Sequence, residues 1–407
     1  MENKRVCLGV TVLLILVLLI GVFGCETTPA EKEPVKLGAI TYMTGVVSDD
    51  GLKTREGMEL AVKEINDNGG VLGRPVELLY YDNGFTVEEA VTSTKEAISD
   101  GVHALVGFQT EDSGDAGVQL AQKENIPIVV TYGASKASSD PDPSSPNYYV
   151  GSFHTNIYPH QWDLAIMKWI EDQGYKSCAN LYIDIAYGYS ESAIYNERWG
   201  QPGSAVKLTA EIFYPFGAVD IGPEIAKLVE SDPDVINLGI WGGDAGIVVA
   251  KKLNELGWTG PVIVGIGCLN TEFVNALGSL CEGWVAADNW AVDRDDPVNW
   301  QFAQNYQEMH GRMPDSWGAT GYTGVKALLL AMNEAGTVDD VDAIADAIYK
   351  QNWDSPFGEV KFLPGGQLYL DKCYLVQVQE GKVELLATPA LSLKDYTSPH
   401  DWYGFME

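Results

Sequence analysis

The chain has 407 residues, 46% of them hydrophobic, enough for two or three domains with sizeable cores. Its 57 acidic residues against 26 basic ones leave a formal net charge of −31. Such a surface favours solubility, repels anionic lipid headgroups and sets nucleic acid aside as a partner.

Residues 1–24 read as an export signal, with Lys4 and Arg5 ahead of an apolar run over 6–22. The end of that run, Val22-Phe23-Gly24-Cys25, resembles a lipobox, in which Cys25 receives lipid and becomes the new N-terminus. The alternative is an uncleaved anchor, because the run approaches the ~20 residues that span a bilayer. Both readings place the body outside the cytoplasm. Residues 25–34, small, charged and containing Pro29 and Pro34, form a tether.

Residues 35–41 are a short apolar strand, followed by a loop carrying Thr44-Gly45 and Asp49-Asp50-Gly51. Met58, Ala61, Val62 and Ile65 recur at helical spacing, and Asn68-Gly69-Gly70 stops that helix. Gly73-Arg74-Pro75 turns into a second strand over 76–81, ending at Asp82. This is one βαβ unit, and ligands on such sheets collect beyond the carboxyl ends of the strands. Helices over 87–99 and up to 124 alternate with strands at 102–107 and 126–130, and the proline-rich stretch 138–147 is a surface loop. The alternation restarts with a helix over 159–173 and continues with strands at 179–183, 206–214, 235–241 and 262–267. Helices after Tyr187-Gly188 and over 222–230 and 245–256 separate those strands, which implies parallel sheets covered on both faces. Helices over 300–350 and a β-rich stretch over 358–378 follow.

The run Thr44-Gly45, Gly51, Gly57-Met58-Glu59-Leu60-Ala61-Val62, Glu64-Ile65-Asn66, Gly69-Gly70, Gly73-Arg74 and Asp82 resembles the opening of type I solute-binding proteins. These are the receptors of branched-chain amino acid and amide ABC importers, and the resemblance continues more loosely to about Leu386. It implies an α/β fold of two Rossmann-like lobes joined by a three-strand hinge. The first lobe would take 35–152 and 287–371, the second 153–286 and 372–390, with 391–407 a C-terminal extension. The implied function is binding by hinge closure and delivery to ABC permease and ATPase subunits. A sensory protein of the same fold, uncoupled from a permease, is the alternative.

Catalysis finds no support. There is no GxxxxGK[ST], no HExxH and no GxSxG, and Gly265-Ile266-Gly267 leads to Asn270 where a dinucleotide fingerprint needs its third glycine. The histidines lack a nucleophile context, and no spacing of Cys and His suggests a metal, so no cofactor is expected. Cys268 and Cys281 are spaced for a short-loop disulfide, while Cys178 and Cys373 suit either pairing or burial as thiols.

The resemblance also implies a ligand site. Thr110 and Glu111 fall in the loop that holds a ligand carboxylate, with Glu111 in place of a serine. Gly133 and Ser135 match a backbone contact and a hydroxyl, Tyr187 matches the tyrosine of a Tyr-Gly turn, and Trp241 matches a closing aromatic. Asp50 replaces an aromatic, and the acid that receives the ligand ammonium is missing around Ile266 and Gly267. A carboxylate against a ligand carboxylate is unfavourable, so Glu111 and Asp50 point to a small amide, amine or other cation. Trp241 and Tyr187 would add cation–π attraction of about 0.5–2 kcal/mol each. Alternatively, Glu111 serves the first turn of its helix and faces away from the cleft.

Overall fold

Strand residues alternate between two cores, and that alternation builds the first sheet. In the computed structural model, β1 (Val35–Thr41), β2 (Val76–Asp82), β3 (Ala104–Gly107), β4 (Ile128–Val130) and β5 (Ser152–His154) run parallel in the order β2-β1-β3-β4-β5. The structure describes residues 32–45, 48–132, 142–156, 159–215, 217–218, 220–239, 243–265, 267–370 and 373–387. The export signal, Cys25, Gly133, Ser135, Trp241 and the extension 391–407 lie outside the described residues.

Helices α1 (Ser48–Asp67), α2 (Val87–Ser99) and α3 (Glu111–Glu124) connect these strands. Leu37, Ala39, Ala104, Val106 and Val129 face Met58 and Ala61 of α1, whereas Ile40, Leu105, Ile128 and Val130 face Ala97, Val118 and Ala121 on the other side. Every second residue changes core, as the pleat requires.

The helix α1 begins earlier than the loop expected around Asp49-Asp50-Gly51. These residues form its first turn, where negative charge suits the exposed backbone N–H groups. A side chain at Gly51 would strike the Tyr42 carbonyl, so only glycine lets the helix start this close to β1.

The second sheet has the order β14-β13-β10-β9-β8-β6-β7. Its strands β6 (Ser177–Ile183), β7 (Lys207–Tyr214), β8 (Val235–Gly239), β9 (Val262–Val264) and β10 (Val285–Asp288) pair in parallel. The last two, β13 (Tyr374–Gln379) and β14 (Lys382–Ala387), add antiparallel. They join at Glu380-Gly381, both left-handed (φ 51° and 72°), the geometry of a tight hairpin. Helices α4 (Pro159–Asp172), α5 (Ala186–Trp199), α6 (Gly222–Glu230), α7 (Gly243–Glu255) and the short α8 (Thr271–Leu277) accompany this sheet. Cys178, Tyr182, Val235, Ile263 and Val285 face one core, and Ala179, Leu181, Ile236, Val264 and Ala286 the other.

After β10 the chain returns to the first sheet through α9 (Pro297–His310), α10 (Ser316–Ala335), α11 (Val341–Ile348) and the small hairpin β11 (Asp354–Ser355) and β12 (Gly358–Glu359). Three segments thus pass between the sheets among the described residues, and buried amides lace them together. Asn289 Nδ2 donates to Asn156 Oδ1 at 2.7 Å, and Gln367 Nε2 donates to the Asn156 carbonyl. Alongside them, the His154 and Leu368 amides exchange bonds with the Gly366 and His154 carbonyls, each at 2.8 Å. The fold is α/β with two parallel-sheet lobes, as the resemblance implied.

No disulfide joins the described residues. The expected Cys268–Cys281 pair is not bridged, because Cys281 is turned into the core with Phe273 and Leu277, its Sγ 3.3 Å from the Gly278 carbonyl. Cys178 and Cys373 are fully buried, and burial pushes both thiols up.

Helix α10 lies against α1 at almost backbone contact. A methyl at Gly57 would overlap the Gly318 carbonyl, and one at Gly321 the Thr54 carbonyl. Gly57→Ala is therefore expected to lower stability by about 1–3 kcal/mol, measured by urea unfolding, despite the better helix propensity of alanine.

Candidate functional site

The carboxyl ends of the strands in both sheets face one another, and the loops there are pinned before any ligand arrives. Asp82 closes β2 by accepting from Met43 N at 3.0 Å, Gly84 N at 3.0 Å and Thr44 Oγ1 at 2.6 Å. Thr44 and Asp82 thus hold the first loop in place. Buried Gln109 ties three elements: its Oε1 accepts from Tyr42 N at 2.9 Å, and its Nε2 donates to Thr54 Oγ1 at 2.9 Å.

Thr110 and Ser113 cap α3. Thr110 Oγ1 accepts from Ser113 N at 3.3 Å and Ser113 Oγ accepts from Thr110 N at 3.2 Å. The capping role is therefore filled without the Glu111 side chain. Burial first, then Asp115 and Asp112, pushes the Glu111 carboxyl up to about 7. Asp50, in the first turn of α1, acts electrostatically on Tyr42, Lys53 and Tyr132.

In the second lobe, Gly188 brings α5 down onto β6, since a side chain there would strike the Ile183 carbonyl. Tyr187 and Glu191 then lie one turn apart on the same helix face, and the Tyr187 hydroxyl donates to Glu191 Oε1 at 2.7 Å. The other oxygen, Glu191 Oε2, has no hydrogen-bond partner and rests over Gly239, where an added methyl would overlap it. Glu191 is 2% exposed, and Asp163 of α4 is 0% exposed with both carboxyl oxygens unpartnered. Burial pushes Glu191 up to about 8, with Glu111 raising it further from the opposite lobe. Asp163 is driven well above the carboxylate range by burial and then by Glu191.

The lobes meet around this acid. Helices α3 and α5 approach each other, and Lys53 Nζ of α1 lies 3.9 Å from Glu272 Oε2 of α8. The Gly267 N–H donates to Asp288 Oδ2 at 3.0 Å, and Ser316 Oγ donates to the same oxygen at 3.3 Å. Gly267 is left-handed (φ 71°), and a side chain on it would press on the Trp317 indole nitrogen. Trp317 in turn stacks on Tyr132, ring centroids 3.6 Å apart and planes at 27°. Burial pushes Asp288 up to about 7.

Glu111, Tyr187, Asp50 and Gly267 thus all stand at strand ends, and Glu111 and Tyr187 both act on Glu191. Glu191, Asp163, Asp288, Tyr132 and Trp317 were missed in the sequence. Glu191 carries a readable signal, four residues after Tyr187 on the same helix. Asp288 ends β10, and nothing local shows that it lies beside Gly267.

Glu111, Glu191 and Asp288 are harder to ionise folded than unfolded, so the folded chain holds more protons between the ordinary carboxyl range and about pH 8. Stability contributed by these groups falls as pH rises through that window. Thermal melts of the unliganded protein should show a lower midpoint at about pH 8 than at about pH 5, with a smaller difference in Glu191→Gln.

The sequence profile of the periplasmic binding protein family matches residues 34–382. The Leu/Ile/Val-binding protein BraC3 of Rhizobium johnstonii is 24% identical over 364 residues, covering 87% of this chain and 94% of the relative. The leucine-, isoleucine-, valine-, threonine- and alanine-binding protein of Pseudomonas aeruginosa is 21% identical over 348 residues, 85% of this chain and 90% of its own. Among solved structures, the leucine binding protein LivK of Thermotoga maritima has a TM-score of 0.78 at 22% identity, covering 88% of this chain and 99% of that one. A solute-binding protein of an R. palustris ABC transporter, solved in complex with benzoate, also reaches 0.78, at 20% identity over 88% and 98% of the two chains. Two parallel-sheet lobes, three connecting segments and a match over most of the length agree: the chain belongs to the periplasmic binding protein family, with the type I fold of the branched-chain amino acid receptors.

Proposed function

We propose that this protein is a lipid-anchored extracytoplasmic receptor that binds a small polar solute between its lobes and delivers it to an ABC importer. The observation that carries this reading is the meeting of two sets of strand ends around buried polar atoms, with Glu191 Oε2 unpartnered between them. An enclosed pocket with a few aimed polar groups is what small-solute recognition needs. The buried amides at Asn156, Asn289 and Gln367 tie the connecting segments into one hinge about which the lobes close.

The relatives are named for aliphatic amino acids, and structural neighbours were solved with isoleucine or benzoate. These are small carboxylates, and here Glu111 replaces a neutral hydroxyl. The solute class is therefore an amino acid, amide or amine whose polar end tolerates that acid. No helix among the described residues is long and apolar enough to cross a membrane, and the anchor in this reading is the lipid on Cys25.

Small-angle scattering of the purified protein should show compaction when a solute retained through purification, identified by mass spectrometry, is added back. Tyr187→Ala should weaken that solute about tenfold or more in calorimetry, since it removes an aromatic wall and the Glu191 hydrogen bond. Unchanged affinity would place the site elsewhere.

Cys25→Ser should release the protein from membranes or stall its precursor, read by fractionation and precursor size on gels. Unaltered processing and anchoring would refute lipidation.

A further inference from the structure

Glu191 is an acid that the folded protein encloses without a cationic partner among the described residues. Among the described residues, no lysine or arginine is among the charges that act on it, on Asp163 behind it or on Glu111 opposite it. Such groups are costly to bury, and a structural role would normally bring a cation or a full set of donors. The helix instead supplies a single donor, Tyr187, to one oxygen, and Gly239 leaves room for the other. The second carboxyl of the pair, Glu111, comes from the facing lobe at the first turn of α3.

Resting on the solute-receptor reading, we propose that Glu191 and Glu111 together form the charge-recognition site for the solute, and that they take a protonated amine lacking an adjacent carboxylate. A cation between them satisfies Glu191 Oε2 and offsets two like charges that otherwise repel. It also draws α3 and α5 together, so the same contact that selects the solute favours the closed arrangement. A zwitterionic amino acid brings its own carboxylate to the same place and loses what its ammonium gains.

Proton linkage follows. Glu111 and Glu191 are both raised in the unliganded protein, to about 7 and about 8. Among the described residues, the groups facing Glu191 are Tyr187 of its own helix, Glu111 of α3, Asp163 of α4, Tyr182 of β6 and Tyr195 one turn on; Asp112 and Asp115 flank Glu111. All are acids or phenols, so an arriving cation ionises the two glutamates and binding releases protons. Affinity for amines should therefore rise with pH through the neutral range and level off above it.

The test is calorimetry on the full chain with butylamine, 1,4-diaminobutane, butyramide, leucine and benzoate, in two buffers of different ionisation enthalpy at neutral pH. The proposal expects an amine to bind at least tenfold more tightly than leucine or benzoate, with proton release. Glu191→Gln and Glu111→Gln should each cost tenfold or more for the amine, and Glu191→Gln should abolish most of the proton release. Should Glu191→Gln misfold, Gly239→Ala displaces the same carboxylate without removing its charge and should show the same loss. Amine binding unchanged in these variants overturns the assignment, as does silence of the amines beside micromolar binding of leucine or benzoate. The latter result leaves the receptor reading standing, whereas absence of scattering compaction with every solute, the retained one included, would remove both.

Discussion

Parallel strands joined by crossover helices share one direction, so the carboxyl ends of a whole sheet open on the same edge. Here two such sheets present those edges to each other, and many of the residues singled out at the site stand within about a turn of a strand end. Thr110 and Glu111 follow β3, Tyr132 follows β4, Tyr187 follows β6, Gly239 ends β8, Gly267 follows β9 and Asp288 ends β10. The polarity of the sheets concentrates these groups, and the connecting segments decide how closely they meet. Those segments are held by amide side chains buried among apolar residues, which makes their geometry specific: Asn156, Asn289 and Gln367 need one another for hydrogen bonds.

The charges of the site fall into two kinds. Lys53 shows the structural kind: burial would lower its ammonium, but Asp315 at 3.1 Å and Asp49 at 2.8 Å hold it well up. Arg312 adds contacts to Asp49 at 3.0 Å and Glu56 at 2.9 Å, so this network beside α1 balances cations against acids. Glu191 and Asp163 are the opposite case, buried acids with no cation beside them among the described residues. Burying a charge uncompensated costs several kcal/mol, and a carboxyl in that position takes a proton instead. Under the proposed amine binding, a ligand that restores the charge has a ready partner, so a cost in the unliganded protein becomes selectivity in the bound one.

Glycines set the distances. Gly57 and Gly321 let α1 and α10 approach at backbone contact, and this pair carries Lys53 and Trp317 to the seam. Gly188 does the same for α5 over β6, which fixes where Tyr187 and Glu191 stand. Gly267, with φ of 71°, turns the loop after β9 so that Trp317 fits where a side chain would be. Each keeps one element close enough for a polar group on another to reach the gap.

What the sequence determined by itself was local. The bounds of β1, α2 and α6 follow from apolar spacing, capping residues and glycine stops, because those signals act within a few residues. The short α8 and β14 escaped, one being too brief for a helical period and the other resting on the hairpin at Glu380-Gly381. The start of α1 was read as loop because its first turn is Asp-Asp-Gly, and only contact with the Tyr42 carbonyl shows why glycine belongs there. At the site, Glu111 and Tyr187 are expectations from motif position, and Glu191 was missed although it lies four residues after Tyr187 on the same helix. Asp288 beside Gly267, Asp163 behind Glu191 and Trp317 on Tyr132 were not. Tertiary structure alone decided which acids share one enclosed space, because burial and like-charge proximity are properties of packing between distant segments, and no local pattern encodes them.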